Sequence, residues 1–101
     1  MKLPRYELDE SLIVSLAIKY KIKELALFGS VLRDDFGDQS DIDILVQFDK
    51  TAELSLFDVF EVKEELEKVL GREVDLVEKE GLRNPYRRDR ILRTAKVVYA
   101  A

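Results

Sequence analysis

Residues 41–48 restrict the fold more than any other stretch of the chain. Ile42, Ile44, Val46 and Phe48 alternate with Asp41, Asp43, Leu45 and Gln47. A period of two fits an extended strand, whose successive side chains point to opposite faces. The pattern predicts a strand with one apolar face, and such a face needs a covering layer. Leu12, Ile13, Leu16, Ala17 and Tyr20 recur at helical spacing behind candidate caps at Asp9 and Ser11, predicting an amphipathic helix over 10–20. Ser55 with Asp58 opens a second helix in capping-box fashion, with Leu56, Val59, Phe60, Leu66, Val69 and Leu70 as its buried stripe and Gly71 as its stop.

Further short strands are predicted at Glu24–Phe28 and Glu73–Val77, and a brief last one at Val97–Tyr99. Asn84 as cap and Pro85 at the first helical position start a third helix through about Ala95. Helices alternating with short strands predict an α/β (α+β) fold, a small mixed β-sheet flanked by helices, forming a single domain over residues 1–101 with one core.

The chain contains no histidine and no cysteine. That excludes the usual zinc sites, disulfides, thiol redox chemistry and every nucleophile that depends on an imidazole or thiolate. Chemistry must run on carboxylates, hydroxyls, lysines, arginines, backbone groups and bound ions. Residues 1–78 hold 19 acids and 10 bases, a net −9, whereas residues 79–101 hold 7 bases and 2 acids, a net +5. The asymmetry predicts a cation-attracting surface and a separate basic segment suited to phosphate or an acidic partner. No apolar run approaches the ~18 residues of a membrane span, and the start lacks a secretory signal, so a cytoplasmic protein without membrane association is expected.

The informative constellation is Gly29-Ser30 at the end of one strand, ten intervening residues, and Asp41-x-Asp43 at the start of the next. Gly29 allows backbone amides to approach a phosphate closely, and Ser30 adds a hydroxyl donor. Asp41 and Asp43 lie two apart, so both carboxylates share a face and repel unless a cation sits between them. Magnesium suits such a site, with water and phosphate oxygens completing its shell. Asp75, flanked by Val74 and Leu76, supplies a third carboxylate. If its strand lies beside the Asp41–Asp43 strand, the three form an acidic cluster able to hold two metals about 4 Å apart. Asp75 could then take a proton from an attacking hydroxyl. Its bland alternative is an exposed polar position on a half-buried strand.

With these residues the sequence resembles the nucleotidyltransferase superfamily related to DNA polymerase beta, and within it the minimal nucleotidyltransferases, the MNT or MntA-type antitoxins. The likeness spans residues 12 to 99. It implies a nucleotidyltransferase fold and transfer of AMP from magnesium-bound ATP to a hydroxyl, with pyrophosphate leaving. On that resemblance Asp41 and Asp43 would bind two Mg2+ ions, Asp75 would complete the metal site and assist deprotonation, and Gly29 with Ser30 would hold the outgoing phosphates. The acceptor in such antitoxins is a tyrosine of a partner HEPN-domain ribonuclease toxin, which the antitoxin also binds. This chain departs from the pattern at Arg33-Asp34, where many relatives have Arg-Gly, so its flexible loop residue moves to Gly37. Arg33 either serves the site or braces the acidic loop by ion pairing.

Two alternatives accompany that expectation. One is a non-catalytic antitoxin that occludes its toxin. The other is one subunit of a two-chain small-molecule nucleotidyltransferase. Little chain is left for a separate acceptor-binding domain, so the acceptor is expected to come from, or be recognised across, an interface with another chain.

Several other features read as structural. Asp34, Asp35 and Asp38 are expected at the solvated surface. The kinase-like tripeptide Asp35-Phe36-Gly37 is a coincidence in a chain with no His-Arg-Asp loop. Phe57 and Phe60 are expected in the core, while Tyr86 and Tyr99 are left open. Arg83, Arg87, Arg88, Arg90, Arg93 and Lys96 make the third helix basic, for partner docking, for nucleotide phosphates, or as a solvated face. The acidic balance and the lack of an aromatic-basic platform argue against direct nucleic-acid binding.

Overall fold

The computed structural model describes all 101 residues. The chain runs through α1 (Glu10–Lys19), β1 (Ile22–Phe28), a 3₁₀ turn (Gly29–Leu32), β2 (Ile42–Phe48), α2 (Leu56–Leu70), β3 (Val74–Glu78), a second 3₁₀ turn (Lys79–Gly81), α3 (Pro85–Thr94) and β4 (Lys96–Ala100). The strands form one sheet in the order β3-β2-β1-β4. β2 and β3 are parallel, while β1 runs antiparallel to both β2 and β4. The expected mixed α+β architecture is therefore present.

The helix ends follow from local chemistry. Asp9 caps α1 by accepting from the Ser11 N–H, and Ser55 and Asp58 form a reciprocal capping box on α2. Gly71 ends α2 in the left-handed region at φ 67°, where a residue without Cβ is unstrained. Asn84 accepts from the Tyr86 and Arg87 amides, and Pro85 occupies the first turn of α3.

Apolar clusters cover the two faces of the sheet. On one, Leu25, Leu27, Ile42, Ile44, Val46 and Val74 pack with Ile13, Leu16 and Ala17 of α1 and Val62, Leu66 and Leu70 of α2, within a cluster of 17 buried residues. On the other, Ala26, Phe28 and Leu45 meet Leu82 and Ile91 in a cluster of five. The expectation of one core and a one-sided β2 is thus corrected. Leu45, two residues beyond Asp43, is only 2% exposed because α3 and the segment before it cover that side. The α3 face is also the face to which Asp43 belongs.

The buried stripe of α2 also differs from expectation. Leu56 is 78% exposed, Phe57 86% and Phe60 59%. At 3.6 residues per turn Phe57 and Phe60 point away from the buried line of Val62, Leu66 and Leu70, whereas Leu56 lies near the angle of that line but at the first residue of the helix, where it stays exposed. Val59 continues that line and Val69 flanks it, both half-buried. On α1, Leu12 likewise sits beside the buried line and is 47% exposed. No helix is long and apolar enough to cross a membrane.

Candidate active site

Strand register brings the site together. Phe28, the last residue of β1, is paired with Asp43, and on the other side of β2 Asp43 is paired with Asp75 of β3. Register partners in a pleated sheet present their side chains to the same face. Asp43 therefore stands between Phe28 and Asp75 on the α3 side. Asp41 precedes β2 by one residue and is exposed, as is Asp75, whereas Asp43 is half-buried.

Burial raises the Asp43 carboxyl above its usual range, and the charges of Asp75 and then Asp41 raise it further, against smaller opposing effects of Arg33 and Arg87. This excess of negative charge on oxygen donors suits a hard divalent cation, so the residues present fit magnesium by their chemistry. No three acidic groups converge into a ready-made ligand cage. The expected cluster is a neighbourhood set by register, with Asp41 and Asp75 at its exposed rim.

Gly29 follows Phe28 at φ +74°, a region costly for residues with a Cβ. A Cβ on Gly29 would lie 2.1 Å from Asp43 Oδ2. The backbone conformation thus favours glycine, and any Cβ there would also have to push the Asp43 carboxylate aside, an effect separate from the phosphate approach expected of Gly29. The turn that follows is anchored by Val31, which is fully buried. The Ser30 carbonyl accepts from the Arg33 N–H at 2.9 Å, while its side chain makes no hydrogen bond within the chain.

Beside these residues lies a cleft of about 600 Å³. Gly29, Ser30, Arg33 and Asp43 line one wall, and Arg87, Arg90 and Thr94 of α3 line the other. Such a volume is in the range of small-molecule sites. Asp41 and Asp75 do not line this cleft.

The acidic connection from Arg33 to Asp41 is held from within. Phe36 is 2% exposed. It meets the Tyr6 ring edge-on at 5.9 Å, and the Arg72 guanidinium lies 4.4 Å from its centroid. Arg72 also donates to the carbonyl oxygens of Gly37 and Ser40, tying the loop to the start of β3. Asp34, Asp35 and Asp38 are exposed as expected. Arg33 pairs with Asp35 at 3.0 Å and also faces the cleft, so both readings of that residue find a contact. Sequence reasoning missed Phe36 and Arg72. The available signal was a lone aromatic residue within a run of acids, a costly residue to leave in water.

Comparison with known proteins shows the family and the fold. The family described as nucleotidyltransferase domain matches residues 10–98. MJ1379 of Methanocaldococcus jannaschii, provisionally named a protein adenylyltransferase, is 48% identical over 68 residues, 67% of this chain and 68% of that one. A crystal structure of a toxin-antitoxin with AMP-PNP superposes with a TM-score of 0.73 at 26% identity, covering 93% of this chain and 75% of the other. A complex of tri-AMPylated Shewanella oneidensis HEPN toxin with an MNT antitoxin superposes at 0.64 with 26% identity, covering 91% and 70%.

Proposed function

Because the chain belongs to the nucleotidyltransferase domain family and is a nucleotidyltransferase, we propose that it transfers AMP from ATP to a tyrosine hydroxyl of a partner HEPN-type toxin, acting as that toxin's antitoxin. The observation that carries this reading is the register Phe28–Asp43–Asp75, which sets a half-buried carboxylate between a Gly-Ser turn and a second carboxylate at the edge of a nucleotide-sized cleft. The adenylyltransferase name of MJ1379 and the tri-AMPylated toxin in the Shewanella oneidensis complex support the choice of donor and acceptor.

In this reading Asp41, Asp43 and Asp75 hold two Mg2+ ions, and Gly29 with Ser30 holds the outgoing phosphates. Magnesium bound there supplies charge neutralisation on the triphosphate and eases ionisation of the attacking hydroxyl. Asp75, exposed at the rim, accepts the hydroxyl proton. The acceptor oxygen forms a bond to the α-phosphorus as the bond to the bridging oxygen breaks, and pyrophosphate leaves with that electron pair. The partner presents its hydroxyl to the exposed side of Asp41 and Asp75.

The test is intact-mass spectrometry of the partner toxin after incubation with this protein, Mg2+ and ATP. Mass gain in AMP units that disappears with Asp41→Asn or Asp43→Asn supports the reading. Neutralisation of the toxin by those variants with no mass gain would identify an occluding antitoxin instead. Nucleotide transfer to small hydroxyl compounds in place of the toxin would identify a two-chain small-molecule enzyme.

A further inference from the structure

The five arginines from Arg83 to Arg93 look equivalent in sequence, yet the fold treats them differently. Arg88 turns back and donates to the carbonyl oxygens of Lys79 at 3.0 Å and Leu82 at 3.5 Å, fastening α3 to the preceding turn. Arg93 pairs with Asp89 one helical turn away at 3.0 Å. Arg87 and Arg90 make no ion pair and no side-chain hydrogen bond, and both line the cleft opposite Gly29 and Ser30. Their spacing of three places them as neighbours on one helix face. Ile91, beside Arg90, is buried against the sheet with Phe28, which fixes that face toward the cleft.

The cleft thus has the Asp43 carboxylate in one wall and the Arg87 and Arg90 guanidinium groups along its α3 wall. A guanidinium cannot ligate a metal, but it matches phosphate oxygens in a bidentate geometry and stays charged at any working pH. We propose that Arg87 and Arg90 form a clamp for the β- and γ-phosphates of the nucleotide, making the site specific for a nucleoside triphosphate donor and stabilising the pyrophosphate that leaves. The clamp rests on the nucleotidyl-transfer reading and deepens it: the carboxylates act at the α-phosphate and the two arginines act one and two phosphates further along.

Calorimetric titration with AMP-PNP and with AMP, each in Mg2+, separates the two ideas. The unmodified protein should bind AMP-PNP more tightly than AMP. Arg87→Ala and Arg90→Ala should each weaken AMP-PNP binding by about ten- to a hundredfold, the range expected for loss of a hydrogen bond to a charged group, and leave AMP binding within about twofold. Arg87→Lys and Arg90→Lys should recover part of the loss, and Arg93→Ala should change neither affinity. Equal weakening of AMP and AMP-PNP, or none, would overturn the clamp while leaving nucleotidyl transfer standing. Absence of binding of either nucleotide to the unmodified protein would overturn both.

Discussion

Asp43 occupies the space that a side chain on Gly29 would need, with its Oδ2 2.1 Å from where a Cβ would stand. The two residues belong to the two halves of the Gly-Ser and Asp-x-Asp pattern, and the antiparallel register of β1 and β2 presses them together. Gly29→Ala should therefore act twice. The left-handed φ should cost about 1–3 kcal/mol, and Asp43 should be displaced. The expected result is a Tm lower by roughly 4–8 °C per kcal/mol in a domain of this size, together with loss of AMP transfer. An unchanged Tm and full transfer would contradict the steric relationship.

Asp43 is held above its ordinary carboxylate range, first by burial and then by Asp75 and Asp41, so its charged form opposes folding at neutral pH. Asp43→Asn removes that charge at nearly constant shape. Thermal melts in buffer without divalent ions should show a Tm raised by on the order of a few degrees at pH 7. The advantage should shrink as pH falls through the raised folded value and vanish below the usual carboxylate range, where the native carboxyl is protonated in both states. AMP transfer should be lost at every pH. A destabilised variant at pH 7 would refute the crowding of charge.

Phe36 and Arg72 hold the acidic loop from below. Phe36→Ala should cost about 3–5 kcal/mol, as expected for a buried aromatic side chain. Arg72→Ala should cost about 1–3 kcal/mol because the carbonyls of Gly37 and Ser40 lose their partner. Hydrogen-exchange mass spectrometry should show faster exchange over residues 37–42 in the Arg72 variant, with β1 unchanged.

Tyr20 offers a test at alkaline pH. Burial, followed by the neighbouring carboxylates of Glu61 and Glu65, pushes its hydroxyl up to about 12. In the unfolded chain a tyrosine ionises near pH ~10. Between these values the unfolded state gives up the proton and the folded state keeps it, so stability falls as pH rises through that window. Tyr20→Phe lacks this loss. Denaturant melts should therefore show the stability of the unmodified protein falling relative to Tyr20→Phe between pH 9 and 12, with a constant gap below.

The caps explain why most of the fold was legible. Asp9, Ser55 with Asp58, Gly71, and Asn84 with Pro85 act within a few residues of themselves, and all were readable as local signals. The burial of Leu45 was not, because it depends on α3 lying over the second face of the sheet. Phe57 and Phe60 were misassigned because they were grouped by hydrophobicity without following their angle around the helix, while Leu56 has a suitable angle but stands exposed at the helix start. The same division holds at the site. The two-residue spacing puts Asp41 and Asp43 on one side, but the place of Asp75 depends on β3 being the neighbour of β2, which is a property of strand order. The difference between Arg87 or Arg90 and Arg88 or Arg93 likewise depends on which way α3 is turned.

The unequal clusters on the two sides of the sheet have an evolutionary consequence. The 17-residue cluster under α1 and α2 includes no residue of α3, whereas α3 reaches the sheet through Ile91 in a cluster of five. Exposed positions of α3 are therefore free to vary without weakening the larger cluster. Side chains on the cleft-facing side of α3 can thus be exchanged while β2, with Asp43, stays in the larger cluster's sheet.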